Sequence, residues 1–220
     1  MKSNKPVTIF LGMSGAGKST QAHLLSRAYG FTRIGAGEQL RELATQGEAP
    51  IHRQIELLLL KGYLMPDEIV VPIMIDPIKA ACDTSAGFIL DGTPRNLKQA
   101  ELLDTSLQEM GMCNIRVIYF HILLDQLRER VAQRLVCKNC QAPSGYPGSR
   151  SKCDFCGGML APRMDDTADV VDKRWREYIK QTEPLIQAYD RQGKLICINA
   201  ERPIHIVFAE IINALHSVDT

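Results

Sequence analysis

Hydrophobic positions along this 220-residue chain fall into two alternating patterns. Short, almost wholly apolar runs predict buried β-strands at 7–11, 32–34, 87–92, 115–122 and 194–198. Longer segments between them predict helices at 18–29, 35–42, 51–61, 96–107, 123–135, 165–190 and 203–217. Another helix is expected from Asp67, with Pro72 and Pro77 predicting a kink or a break in it. Apolar strands that alternate with helices predict an α/β fold, in which a parallel sheet is covered on both faces.

Composition and charge are those of an ordinary globular protein. Hydrophobic residues make up 45% of the chain and charged residues 23%, and the formal net charge is +1. A net charge this close to zero does not indicate that the chain binds nucleic acid or a membrane. No apolar run approaches the roughly 18 residues that span a bilayer, and residues 1–6 lack the apolar core of a signal peptide. We therefore expect a cytoplasmic protein.

The run GMSGAGKST at 12–20 joins the first predicted strand to the first predicted helix. This is the spacing of a phosphate-binding loop, whose glycines let backbone N–H groups turn towards an anion at a helix N-terminus. Lys18 supplies a positive charge for the β- and γ-phosphates, and Ser19 or Thr20 offers a hydroxyl towards Mg²⁺. The sequence therefore predicts a nucleoside triphosphate site.

Further charged residues are expected near the same edge of the sheet. Asp91 ends the strand at 87–92, where nucleotide-binding folds place an acid that directs Mg²⁺. Arg130 and Arg134 are four residues apart, so we expect them on one face of the helix at 123–135. Phosphoryl transfer spreads negative charge over several oxygen atoms, and a set of arginines around the reacting group would neutralise it. The candidate arginines are Arg41, Arg95, Arg130, Arg134, Arg163 and Arg174.

Four cysteines form two C-x₂-C pairs in a segment, 136–162, that is otherwise loop-like. Cys137 and Cys140 make the first pair, and Cys153 and Cys156 the second. Paired knuckles at this separation are typical of a four-thiolate Zn²⁺ site, and such sites are usually structural. A zinc ribbon that binds nucleic acid is the alternative, although its basic residues are few. We favour a mobile flap whose fold is stabilised by the bound metal ion.

With these motifs in this order, the chain resembles the adenylate kinases over nearly its full length. The matching stretches are 12–21, 37–41, 67–68, 91–92, 94–95, Gln99, 130–134, the four cysteines, 163–166 and Arg174. The resemblance implies a P-loop NTPase-type three-layer fold with a five-stranded parallel sheet. It also implies a core at 1–34, 65–126 and 165–220, a helical insertion that binds the nucleoside monophosphate at 35–64, and a zinc-binding lid at 127–164.

The resemblance further implies the reversible reaction ATP + AMP ⇌ 2 ADP with Mg²⁺, carried out by a monomer. The implied ATP-binding residues are Gly15, Ala16, Gly17, Lys18, Ser19, Thr20, Arg130 and Arg134. The implied AMP-binding residues are Ala36, Gly37, Arg41, Gly92, Arg95, Gln99, Arg163 and Arg174. Catalysis is assigned to Lys18, Asp91, Arg95, Arg130, Arg163 and Arg174. Gln99 is expected to recognise adenine, and Asp165 and Asp166 to act at the lid hinge.

Three positions depart from the family pattern. Ala36 stands where the monophosphate site usually has Ser or Thr, Thr93 replaces a usual Phe, and Ser19 replaces a glycine. The nearest enzyme alternative is therefore a UMP/CMP kinase or a kinase of broad nucleoside monophosphate specificity. Two alternatives from other classes are a nucleotide-binding regulatory or nucleic-acid-binding zinc-ribbon module and an ATPase that acts on a protein partner.

Overall fold

The computed structural model describes residues 5–45, 49–84, 86–143 and 151–216. Parts of the predicted segments therefore lie outside the described residues, at 1–4, 46–48, 85, 144–150 and 217–220. None of the helices within the described ranges is long and apolar enough to cross a membrane.

Five parallel strands form the central sheet in the order β2-β3-β1-β4-β7. The strands are β1 (Val7–Leu11), β2 (Thr32–Gly35), β3 (Phe88–Asp91), β4 (Ile115–His121) and β7 (Leu195–Asn199). Every residue of β1 and β3 is buried, as expected for central strands covered on both faces. The predicted five-stranded parallel α/β sheet is confirmed, and the carboxyl ends of β1 and β3 lie side by side.

Helices pack against this sheet and form a separate group between β2 and β3. They are α1 (Lys18–Tyr29), α2 (Ala36–Thr45), α3 (Pro50–Leu60), α4 (Asp67–Thr84), α5 (Leu97–Glu109), α6 (Leu124–Ala132), α7 (Ala168–Glu177), α8 (Glu183–Arg191) and α9 (Ile204–His216). Side chains cap two of them: Asn96 accepts a hydrogen bond at the start of α5, and Thr167 at the start of α7.

Two helices differ from their predictions in whether they are continuous. The helix from Asp67 is not broken, because α4 runs through both Pro72 and Pro77. The segment predicted as one helix at 165–190 is instead α7 and α8, joined by a π-helical turn at Tyr178–Thr182. Pro184 lies in the first turn of α8 and has no N–H to donate, so one regular α-helical hydrogen bond is missing beside the π-helical turn.

The segment around the cysteines also differs from its prediction. Helix α6 ends at Ala132, so Arg134 lies beyond it and the expected single helix face with Arg130 is wrong. The segment predicted as a loop contains a small antiparallel sheet, formed by β5 (Leu135–Cys137) and β6 (Leu160–Pro162). Arg134 lies between the end of α6 and the start of β5, and its backbone N–H donates to the carbonyl oxygen of Val131 at 3.2 Å.

Candidate active site

The loop after β1 folds tightly against its neighbours, and glycine is required at two of its positions. Gly12 and Gly15 have φ angles of 138° and 102°, a region that L side chains rarely adopt. A Cβ at Gly12 would lie 2.8 Å from the carbonyl oxygen of Phe120, and one at Gly15 would lie 2.6 Å from Cγ2 of Val131. The loop can therefore approach β4 and α6 only with these glycines.

Lys18 begins α1 and lies at the centre of this loop. Its Nζ donates hydrogen bonds to the carbonyl oxygens of Gly12 (2.8 Å) and Met13 (2.9 Å), and the residue is only 8% exposed. Burial lowers its pKa to about 8, and Arg95, Arg134 and Arg163 act in the same direction, while Asp91 opposes the shift. An anion that enters here would restore the charged ammonium, because opposite charge raises the pKa of a lysine.

Asp91 lies at the carboxyl end of β3, as predicted, and its carboxylate is 6% exposed. Its Oδ2 accepts hydrogen bonds from Ser19 Oγ (2.5 Å) and from Arg33 Nε (3.3 Å). Burial alone would raise the pKa of Asp91, but Arg33 and Lys18 hold it below its usual value. The carboxylate is therefore ionised at neutral pH and available to a cation.

Arg95 follows a turn after β3 that contains the cis peptide bond Thr93–Pro94. Its Nε donates to the carbonyl oxygen of Gly92 (2.9 Å), and its backbone N–H donates to Gln99 Oε1 (2.8 Å). Gln99 is 1% exposed, and its Nε2 donates to Asp67 Oδ1 (2.9 Å). Burial, together with Arg174 and Arg163, lowers the pKa of Arg95 to about 10. Two other guanidinium groups thus lie near that of Arg95, and Asp91 partly opposes their effect on its pKa.

Two adjacent carboxylates hold three of the predicted arginines. Asp165 accepts from Arg163 at 2.6 and 2.7 Å and also pairs with Arg174. Asp166 forms a two-point pair with Arg134, with Arg134 Nε at 2.6 Å from its Oδ2. Asp165 and Asp166 therefore bring together side chains from the residues next to β5 and β6 and from α7.

A cavity of about 660 Å³ opens between the loop, α2 and α6. It is lined by most of the predicted site residues, namely Gly15, Ala16, Gly17, Lys18, Ser19, Thr20, Gly37, Arg41, Asp91, Gly92, Arg95, Arg130, Arg134 and Arg163. Ala36 and Gln99 do not line it, and Arg174 lines a smaller neighbouring cavity with Gly92 and Arg95. Among the described residues, Arg41 Nε is buried and has no hydrogen-bond partner, which suits a group that donates hydrogen bonds to a bound anion.

Several residues of this cavity were not predicted. Arg33 and Glu38 line it from β2 and α2, and residues 200–205 line it from the segment that leads into α9 and from the first two residues of that helix. Arg33 could have been noticed in the sequence, since it is a charged residue inside a predicted buried strand. The segment at 200–205 carried no motif, and only the topology brings it beside the loop.

The four cysteines converge as their spacing predicts. Their Sγ atoms lie within 4.8 Å of one another, with three separations of 3.4 to 3.6 Å. Backbone N–H groups of Asn139 and Phe155 point at the first sulfur of each pair, both at 3.4 Å. A tetrahedral ion with metal–sulfur bonds of about 2.3 Å has sulfur–sulfur edges of about 3.8 Å. The cluster therefore fits a four-coordinate metal ion.

Comparison with known proteins gives a consistent answer. The family model described as adenylate kinase matches residues 10–194. The adenylate kinase of Caldicellulosiruptor bescii is 37% identical over 211 residues, covering 94% of this chain and 97% of that protein. The adenylate kinase of Archaeoglobus fulgidus is 39% identical over 207 residues, covering 92% and 94%. That of Geobacillus sp. (strain WCH70) is 37% identical over 207 residues, covering 92% and 95%.

Proposed function

The chain belongs to the adenylate kinase family, and we propose that it catalyses the reversible transfer of the γ-phosphate of Mg·ATP to AMP, giving two ADP. The observation that carries this proposal is the cavity that joins the phosphate-binding loop to Arg41, Arg95 and Arg163. A loop for one nucleotide and a separate set of guanidinium groups for a second phosphate are what a two-nucleotide reaction needs.

In this assignment the triphosphate lies along the loop 15–20, with Arg130 and Arg134 on its other side. The monophosphate lies against Gly37 and Gly92, and Arg41 and Arg95 bind its phosphate. Ala36 and Gln99 are buried behind this surface, so contact between them and the base requires a small movement when the nucleotide binds. A phosphate oxygen of AMP forms the new bond to the γ-phosphorus as the bond to the bridging oxygen of ADP breaks. That oxygen is already deprotonated at neutral pH, so the protein supplies position and charge and no general base.

Three cations neutralise the charge on the transferring group. Lys18 contacts it from the loop, while Arg163 and Arg174 approach from the opposite side of the cleft. Asp165 holds both of these arginines in place, so their guanidinium planes are oriented before substrate binds. Preorganised donors of this kind stabilise the transition state without reorganising during the reaction.

The donor set at the end of β3 suits Mg²⁺. The carboxylate of Asp91 and the hydroxyls of Ser19 and Thr20 are oxygen ligands of the kind this cation prefers, and all three residues line the cavity. Asp91, Ser19 and Thr20 would hold Mg²⁺ bound with ATP, and the ion would supply charge neutralisation on the phosphates. Ser19 fixes the orientation of Asp91 through its hydrogen bond.

We propose that Gln99 recognises adenine through its amide. Its Oε1 accepts from Arg95 and its Nε2 donates one N–H to Asp67, which leaves the second N–H of Nε2 for a base. Ala36 contributes only a methyl group, so this recognition rests on the amide and on shape. AMP is therefore assigned as the acceptor in preference to a pyrimidine nucleotide.

Separate clusters of buried side chains support the division into a core, an insertion at 35–64 and a lid at 127–164. In the insertion, Leu40 and Ile55 form a cluster separate from the main core, together with Met65 and with Val70 of α4 at its boundary. In the lid, Cys137, Ala142 and Cys153 form another. So small a cluster cannot stabilise a lid alone, and we assign Zn²⁺ to the four cysteines as its main source of folding free energy.

We further propose a cytoplasmic monomer. None of the seven cysteines, all of which lie in the described ranges, forms a disulfide bond, as expected in a reducing compartment. Apart from Ala36 and Gln99, the groups assigned to the two nucleotides line two neighbouring cavities of this one chain, so the proposal needs no second subunit to complete them.

ADP formation tests the proposal directly. With Mg²⁺, ATP and AMP together, we expect ADP to appear at twice the rate at which ATP disappears. With ATP alone, we expect almost no ADP, because a closed cleft excludes the water that would compete with AMP. Release of inorganic phosphate at the same rate with and without AMP would contradict the proposal and indicate an ATPase.

A further inference from the structure

Arg33 is a buried cation in the cleft that the reaction described above does not use. It lies on β2, paired in register with Ile89 of β3, and its side chain is 10% exposed. Its Nη1 and Nη2 donate to the two carboxylate oxygens of Glu38 at 2.5 and 2.8 Å. Its Nε donates to Asp91 Oδ2 at 3.3 Å. One guanidinium thus bridges two carboxylates that line the same cavity.

Gly35 provides an independent sign that this bridge is built into the site. A Cβ at Gly35 would lie 3.0 Å from Arg33 Nη2 and 3.2 Å from Glu38 Oε2, closer than nearly all real Cβ contacts. Gly35 has no positive φ, so its backbone does not require glycine. The missing side chain instead leaves room for the paired guanidinium and carboxylate.

The charge balance indicates what the bridge does. Asp91 and Glu38 together carry two negative charges beside the position assigned to Mg²⁺, and carboxylate oxygens attract a divalent cation by themselves. Arg33 halves this charge. A guanidinium group stays protonated at neutral pH, so the neutralising charge is permanent.

We propose that Arg33 is a positioning residue that keeps the acidic edge of the cleft from binding a divalent cation in the absence of nucleotide. Mg²⁺ then binds only together with the nucleotide, because the nucleotide phosphates supply the oxygen ligands and the negative charge that the protein alone lacks. The inference rests on the proposed phosphotransfer, because that reaction is what gives the exclusion of free Mg²⁺ a function. Its test does not depend on turnover.

The experiment measures Mn²⁺ binding to the zinc-loaded, nucleotide-free protein by the loss of the free-ion electron paramagnetic resonance signal. Replacing Arg33 by glutamine removes one positive charge about 5 Å from a divalent cation, which should tighten binding about tenfold. Arg33→Lys keeps the charge and should bind Mn²⁺ as weakly as the wild type. Arg27→Gln makes the same change on the exposed end of α1 and is the matched control.

The double variant Arg33→Gln/Glu38→Gln distinguishes charge from packing. It restores the original net charge without restoring the bridge, so Mn²⁺ affinity should return to the wild-type value. Catalysis supplies a second readout: excess free Mg²⁺ should inhibit Arg33→Gln at concentrations that the wild type tolerates. A structural role alone would lower Tm and leave Mn²⁺ affinity unchanged.

Equal Mn²⁺ affinity in folded Arg33→Gln and wild-type protein would overturn the inference. If Arg33→Gln fails to fold, Arg33→Met takes its place, and failure of both would assign the guanidinium to folding and would also overturn it. Absence of ADP formation by the wild type would contradict the proposed function alone. Normal ADP formation with equal Mn²⁺ affinities would contradict only the role of Arg33.

Discussion

The Asp165 carboxylate is the point at which stability and catalysis are most closely linked. It is 8% exposed and lies between Arg163 and Arg174, which are themselves 18% and 14% exposed. Asp165→Asn removes the negative charge, keeps the size of the side chain and leaves two guanidinium groups close together. Breaking a buried ion pair from one side costs about 3–5 kcal/mol. Because both arginines face an open cavity, we expect a loss of about 2–3 kcal/mol.

Differential scanning calorimetry converts this value into a temperature. For a chain of this length, each kcal/mol lowers Tm by about 2–4 °C, so Asp165→Asn should lose roughly 5–10 °C. Asp125→Asn is the matched control, because it breaks an i,i+3 pair with Arg128 on the surface, where Asp125 is 90% exposed. That change should cost less than about 0.5 kcal/mol.

Two further readouts separate this ion-pair explanation from simple loss of packing. ADP brings anionic phosphates to the arginines, so it should raise the Tm of Asp165→Asn more than that of the wild type. The same pairing holds the pKa of Asp165 well below its usual value, although burial alone would raise it. Its stabilisation is therefore complete above the ordinary Asp pKa of about 3.9 and is lost as the pH falls through the lower folded value.

The wild type and Asp165→Asn should consequently differ most at neutral pH and converge only in strong acid. A variant as stable as the wild type would refute the reasoning. So would a constant difference in Tm that neither ADP nor acid reduces, because that result would assign Asp165 to packing rather than to charge.

Three more changes test separate parts of the site. Lys18→Met should abolish ADP formation and leave Tm within about 2 °C, because the ammonium contacts only two loop carbonyls in the free protein; a global loss of structure on circular dichroism would contradict this. Cys137→Ser should reduce bound zinc from one ion per chain to nearly none and lower Tm, and an unchanged zinc content would show that the ligands are misassigned. Gln99→Ala should weaken discrimination between AMP and other monophosphates, and an equal loss of kcat/KM for all of them would instead point to its support of Arg95.

The features that the sequence could predict are local ones. The loop at 12–20 and the four cysteines are defined by short spacings in the sequence. Such spacings allow few local geometries, so the structure follows from them directly. Apolar runs such as Val7–Leu11 could be recognised as central strands because both of their faces must be apolar. Asp91 could be placed because the carboxyl ends of parallel strands meet at one edge.

The features that it missed depend on tertiary context. Arg134 was expected on a helix because its spacing from Arg130 fits, but pairing of β5 with β6 ends α6 at Ala132. The interruption at Tyr178–Thr182 was hidden because the apolar pattern continues through it. The partners of Arg33 were unpredictable, since they come from α2 and β3 and meet it only in the folded sheet.

Steady-state kinetics with different acceptors tests the central claim most directly. ADP formation from Mg·ATP would be measured against AMP, dAMP, GMP, CMP and UMP, with kcat/KM compared for each acceptor. The account predicts that AMP is preferred by a wide margin, with Ala36 and Thr93 tolerated in its site. A higher kcat/KM for CMP or UMP, or no transfer to any monophosphate, would contradict it.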